Sequence, residues 1–297
     1  MIDPVILLQI LWTGVTMSSY YVLFTLAFAL TLKVEKLWNF AQAGLMGIAF
    51  FAMYGCIQVL EWPPSVGIGV GLLVTVAVAL AVEMFAIETL RRRRSSGLTF
   101  FIFTLVFAQL VAYLLTVGFG TEPQTVYPTV MSRVRIVGGV AVSNWDLQAV
   151  SVTLALLAAL FVLLRGTRDG QFMLAVADNA KLAGFYGISA RRAYLLSSVV
   201  AAVLITAGVY LYGSRAGITP DVPLGLVLTA VIATLVGGVG RVFSAGLAAV
   251  GLGLLQSFSI LFIAAKWQSL LLYAVLFGAI ALFPRGLVRV RRVRLAR

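Results

Sequence analysis

The chain has 297 residues, 62% of them hydrophobic and only 11% charged, with a net charge of +12 and no histidine. A soluble domain carries roughly a quarter charged residues, so a water-soluble fold is excluded. Without histidine the commonest general base and metal ligand are missing, and basic residues gathered at the ends of apolar runs mark membrane orientation rather than a nucleic-acid groove.

Nine apolar segments follow one another closely, at 5–32, 37–60, 66–90, 98–118, 149–164, 193–212, 223–236, 242–264 and 267–283. A spanning helix needs about 20 such residues. The fifth is short. The seventh is shorter still, and reads as a half-helix or as joined to the eighth through the Gly237-Gly238-Val239-Gly240 bend. The expected fold class is all-α: one polytopic helical membrane domain over 1–297 with about nine spans. The first run begins after Asp3 without a basic flank and is too long for a signal peptide, so it reads as a span.

Charge sets the expected orientation. With the N-terminus outside and the C-terminus in the cytoplasm, Lys33, Lys36, Arg91 to Arg94, the basic residues from Arg165 to Arg192, Arg241 and the arginines from Arg285 onward all fall inside. Only Arg133, Arg135, Arg215 and Lys266 remain outside, which is the asymmetry of a bacterial inner-membrane protein. The longest external connection, 118–146, has room for a short strand pair or an interfacial helix. The tail 285–297 alternates arginine with apolar residues, as a juxtamembrane segment against anionic lipid does.

Within this frame few residues can carry chemistry. The single cysteine, Cys56, sits in an apolar run and reads as a small buried hydrophobe. Only Glu83 and Glu88 among the acidic residues fall inside an expected span. Glu88 can meet Arg91 or Arg92 on one helix face, whereas Glu83 reads either as paired with another cytoplasmic arginine or as lining a proton path. The stretch from Leu37 to Gly44 places Asn39 and Gln42 at the head of an apolar segment. Asn39 can cap that helix, either at the membrane surface or as a half-helix start facing a cavity. Gly238, Gly246 and Gly253 fall near one helix face, where small residues allow close packing. The phosphate-loop pattern is absent, so nucleotide hydrolysis by that route is not expected of this chain, nor is an enzyme of any other kind.

The segment 165–192 is different again. Its mixed-charge, half-apolar pattern lies between two spans on the cytoplasmic side, where lipid offers no partner for Asp178 and Asn179.

Four segments in register resemble one family. NFAQAGLMGIAFFAMYG at 39–55 looks like the NFAHG segment of the H-type permeases of branched-chain amino acid ABC importers. TRDGQFMLAVADNAKLAGFYGIS at 167–189 resembles their cytoplasmic loop, ATLVGGVGRVFSAGLAAVGLGLLQS at 233–257 their glycine-rich stretch, and LFPRGL at 282–287 their closing signature. The resemblance implies a permease subunit of an ATP-driven importer. Its partners would be a second permease, related or identical, two cytoplasmic ATPases and a periplasmic binding protein. ATP and magnesium would be held by the ATPases, with no cofactor in this chain. It further implies a coupling set around Ala177, Asp178, Asn179, Ala180, Gly184 and Gly187, and a translocation path touched by Asn39, Phe40, Gln42 and Gly44. The family's histidine is Gln42 here, its usual basic loop residue is Leu174, and Phe185 and Tyr186 flank the loop's end. Such relatives import urea, short amides and aromatic acids as well as leucine-like amino acids. A proton-coupled carrier using Glu83 is the alternative expectation.

Overall fold

The computed structural model describes residues 4–126 and 134–262, together with isolated positions between 267 and 278. The ninth expected segment, LFPRGL and the basic tail therefore lie almost wholly outside the described residues.

Ten helices and one strand pair make up the described chain. The helices are α1 (Pro4–Glu35), α2 (Ala41–Tyr54), α3 (Pro64–Ala81), α4 (Glu88–Arg92), α5 (Gly97–Phe119), α6 (Asn144–Gly166), α7 (Arg168–Phe185), α8 (Ala190–Gly213), α9 (Val222–Gly237) and α10 (Val242–Ser259). A π-helical turn, Gly55–Val59, extends α2, and another, Val82–Ile87, joins α3 to α4 in one rod. Seven helical stretches are long and apolar enough to cross a membrane, and α9 is a shorter apolar helix. The fold is thus mostly helical, and the seven long helices follow the order of the expected segments.

Two expectations shift at the ends of elements. The fifth segment is not short, because α6 begins at Asn144 rather than 149. Its first turn is held by a capping box: Trp145 N–H donates to Ser143 Oγ at 3.1 Å, and Ser143 N–H donates to Asp146 Oδ2 at 3.3 Å. Polar capping residues lower the local hydropathy, so an apolar scan starts late. At the other end of the bundle α1 continues through Glu35, which is buried, so a third carboxylate sits within a span.

α1 is the axis of the molecule and packs against α6, α8, α9 and α10. The α1–α10 seam is built from small residues. Ser18 Oγ lies 2.6 Å from Gly14 O and 3.1 Å from Val250 O, while Ser257 Oγ donates to Ile10 O at 2.6 Å. A Cβ on Gly253 would overlap Ser18, and one on Gly246 would press on Leu26. Close approach of two backbones is what such residues permit. α9 and α10 form a packed pair joined by the bend at 238–241, where Gly238 and Gly240 adopt φ of 97° and 83°. Glycine reaches those angles without the Cβ clash that other residues suffer.

The 118–146 connection holds the strand pair that its length allows. β1 (Val134–Val137) and β2 (Val140–Ser143) are antiparallel, with Val137 opposite Val140 across the Gly138-Gly139 turn. Gln9 straps the hairpin to α1 by accepting from Ala141 N–H at 2.8 Å and donating to Ala141 O at 3.3 Å. Upstream, Gln124 and Ile218 exchange backbone hydrogen bonds, tying this connection to the one between α8 and α9.

Candidate functional site

Three places on the chain are candidates, and the first and third adjoin each other along residues 191–196 of α8. The first is the segment between α6 and α8. Thr167 starts α7, its Oγ1 accepting from Gly170 N–H at 3.1 Å and donating to Leu163 O at 2.7 Å. Gly170 sits so close to the Leu163 carbonyl that a side chain would not fit, which fixes a sharp turn out of α6. Met173, Val176, Ala177 and Ala183 face the bundle. Asn179 leaves helical geometry, with φ −154° and ψ 99°. Its Oδ1 accepts from Lys181 N–H at 3.1 Å and Leu182 N–H at 3.0 Å, so it caps a second short helical piece ending at Phe185. Gly187, at φ 77°, closes that piece: its N–H donates to Gly184 O at 3.0 Å, and Ile188 N–H reaches Ala183 O at 3.0 Å.

Asp178, Asn179, Lys181, Leu182, Gly184 and Gly187 are exposed, while Ala180 is half-buried and Ala177 buried. The tip carries Phe185 and Tyr186, 88% and 80% exposed. Beside it, Asp169, Phe172, Tyr186, Ile188, Arg192 and Leu196 line a groove of about 750 Å³. Aromatic side chains standing in water next to a groove are the composition of a protein-binding surface. Of the six residues that the resemblance implies for coupling, Ala177 packs into the bundle, Ala180 is half-buried, and Asp178, Asn179, Gly184 and Gly187 are exposed.

The second place is the head of α2. Asn39 is buried, and its Oδ1 accepts from Ala41 N–H at 3.1 Å, the bond expected of a residue opening this helix. The residue at the cap position itself is Phe40, whose ring packs edge-on against Phe28 and Phe101. Gln42 is buried too, its Nε2 donating to Thr31 Oγ1 at 2.9 Å in α1. Gly44 faces the other way. With Gly47 it borders a crevice between α2, α5 and the start of α9, whose walls include Gln109, Leu115 and Pro223. A Cβ on Gly44 would lie 3.0 Å from the Phe107 ring, and one on Gly47 2.8 Å from Leu115. Of the four residues singled out in sequence, one touches this crevice and three build the wall behind it.

The third place was only half legible. Glu83 pairs with Arg91, Nη1 to Oε1 at 2.9 Å, and the Arg91 guanidinium lies 3.9 Å from the Tyr194 ring centre. Eight residues in an α-helix end about 80° out of register. The intervening π turn takes in one more residue per turn and brings both groups onto one face. Glu88 pairs instead with Arg92 at 2.6 Å and with Arg191 of α8 at 2.9 Å. Ser197 Oγ lies 2.7 Å from buried Glu35 Oε1. Glu35, Tyr194 and Ser197 were not singled out in sequence. The signal available was that a charged residue just beyond an apolar run belongs to the same helix when nothing there caps it. Among the described residues no group of three or more His, Cys, Asp or Glu could hold a metal ion.

Comparison with known proteins places this architecture. The family model described as "Branched-chain amino acid transport system / permease component" matches residues 10–280. The chain is 25% identical over 296 residues to the high-affinity branched-chain amino acid transport system permease protein LivH of Salmonella typhimurium, with 95% of each protein covered. It is 24% identical, at the same coverage, to LivH of Escherichia coli K12. A likeness to the solved structure of PsaBC from Streptococcus pneumoniae in complex with Fab covers 93% of this chain and 89% of that one, with 14% identity and a TM-score of 0.45. A family match over most of the chain, on a bundle of apolar helices in the expected order, leads to one conclusion: this chain belongs to the permease components of the branched-chain amino acid transport family, and is a membrane transport subunit rather than an enzyme.

Proposed function

We propose that the chain is one membrane half of an ATP-driven importer for branched-chain amino acids or a related small solute, with α7 as its docking element for a cytoplasmic ATPase. The observation that carries this reading is the solvent-exposed, kinked end of α7 with its aromatic tip, on an element whose other face is anchored in the bundle. A second permease completes the pore, two ATPases holding ATP and magnesium act on the two copies of α7, and a periplasmic binding protein delivers solute to the hairpin end. Nine spans, an external N-terminus and a cytoplasmic C-terminus fit the charge distribution, because α7 then shares its side with Arg91 to Arg94. The inner membrane of a bacterium is the corresponding location.

Solute passes by the crevice at Gly44 and Gly47, with Asn39, Phe40 and Gln42 fixing the helix that borders it. The crevice walls are mostly apolar, which suits a small aliphatic side chain. The carrier alternative rests on Glu83, and the Arg91 ion pair accounts for that carboxylate without a proton path.

The test is recovery of the ATPase with the detergent-solubilised complex from cells that make all subunits. Wild type retains the ATPase, and Asp178→Arg loses most of it while keeping its melting temperature and its partner permease. Equal recovery of ATPase by both removes α7 from the interface. If wild type brings down none, and a proton gradient alone drives uptake that Glu83→Gln abolishes, the importer reading falls to the carrier.

A further inference from the structure

Three guanidinium groups from two helices converge on one recess. Arg91 and Arg92 of α4 and Arg191 of α8 line it, together with Tyr194, Leu195, Glu83 and Glu88, around a volume of about 220 Å³. The two carboxylates act as braces. Glu83 holds Nη1 of Arg91, while Glu88 holds Nε and Nη2 of Arg92 and Nε of Arg191. These bonds orient the guanidinium planes but do not use up their donors. Arg91 Nη2 is buried without a hydrogen-bond acceptor, its guanidinium lying over the Tyr194 ring, whereas Arg92 and Arg191 are exposed and turn their remaining Nη groups to solvent. A buried donor left without an acceptor is destabilising, so the Arg91 position favours an acceptor in the recess. With buried Glu35 close to Glu83 and Arg91, three arginines face three glutamates, and the positive balance at this end of the rod comes from Arg93 and Arg94, which follow directly in sequence. The forked N–H donors that Arg92 and Arg191 turn to solvent beside this basic run match the oxygens of a phosphate.

Place and size narrow the ligand further. The recess lies at the end of the apolar rod Pro64–Arg92, beside a tyrosine, where a bilayer meets water. It is smaller than the roughly 300–1,000 Å³ of sites that enclose a whole small molecule. Met84 and Phe85, just before it on the same rod, are exposed apolar side chains, Phe85 by 75%. We propose that this recess binds the phosphodiester headgroup of an anionic phospholipid, whose acyl chains run past Met84 and Phe85. A bound headgroup ties α4 to α8, the helix that follows the docking element. The inference rests on the membrane placement of the chain and not on the ATPase reading, so either can fail alone.

The test is native mass spectrometry of the full chain, purified with its partner subunits and titrated with phosphatidylglycerol, phosphatidylcholine or inorganic phosphate. Wild type retains phosphatidylglycerol in preference to phosphatidylcholine. Arg92→Ala/Arg191→Ala lowers that retention by about tenfold or more relative to Arg93→Ala/Arg94→Ala, which removes the same charge outside the recess. Arg92→Lys/Arg191→Lys keeps the charge and the pairing to Glu88 but loses the fork, and falls between the two. It serves if the alanine pair does not fold. Equal losses in both alanine pairs overturn the site, as does equal retention of phosphatidylcholine. Displacement of the lipid by millimolar inorganic phosphate, with phosphate binding lost in the recess variants alone, overturns the lipid assignment in favour of a soluble anion.

Discussion

α1 and the outer helices are built to opposite rules, although every one of them is apolar enough to span a bilayer. The most apolar window of α1 is 83% buried within the chain, against 28% for the rod Pro64–Arg92 and 22% for both α5 and α6. Yet α1 is less hydrophobic than any of those three. In water the order runs the other way, because burial there selects apolar side chains. In lipid the solvent is itself apolar, so the exposed face must be, and the interior is free to hold glycine, serine and threonine that hydrogen-bond across helices. Ser18, Thr31 and Ser257 are used in that way along α1 and its neighbour α10, while Leu73, Val106 and Leu114 of the outer helices project outward.

Arg91→Ala is the sharpest way to break this contrast, since the outer rod then leaves Glu83 buried without a partner. It is expected to destabilise the protein by about 3–5 kcal/mol, read as a fall in melting temperature, and adding Glu83→Gln should restore much of the loss. Failure of the second change to rescue would mean that Arg91 acts through Tyr194 rather than through Glu83. Next in size is Gly253→Val, which forces α1 and α10 apart at Ser18 and should cost about 3 kcal/mol. Gly251→Val on the same helix meets open space and tests whether the seam, and not helix propensity, is responsible. Ser18→Ala removes the bond to Val250 O and should cost about 0.6 kcal/mol, the average for such bonds between membrane helices. Leu73→Ala on the outer face, where the side chain is 70% exposed, should change the melting temperature least, within about 0.5 kcal/mol. A large effect there would show that a second subunit, rather than lipid, covers this face.

Much of the architecture is legible in the residues themselves. Segment limits at 66–90 and 98–118 fall within two residues of the helical stretches Pro64–Arg92 and Gly97–Phe119, because apolar length and charged ends coincide there. The strand pair in 118–146 is anticipated only as a possibility of length, and the Gly138-Gly139 turn decides it. α7 is legible as a polar interruption, but its kink is not. Asn179 caps within the element rather than at its start, and nothing in its local sequence separates the two roles. At the α2 head, the amides at Asn39 and Gln42 stand out in sequence as polar residues in an apolar run. Their side chains are spent on Ala41 N–H and Thr31, and the crevice is bordered by Gly44, which the resemblance also names, and by Gly47, which nothing in the sequence marks.

That the chain is a helical membrane bundle, with a polar interruption at 165–192, is written in its residues, because transfer from water to lipid is a property of each segment alone. Which apolar helix is central and which is outermost emerges from packing, since the hydropathy of a helix does not say whether lipid or protein surrounds it. The tertiary structure also decided the charge partners. Glu83 meets Arg91, Glu88 meets Arg191 and Glu35 meets Ser197 because a π turn rotates one helix and two others close beside it. The Glu88–Arg191 and Glu35–Ser197 contacts depend on distances between helices, which no single helix encodes, and Glu83–Arg91 depends on the π turn within one rod.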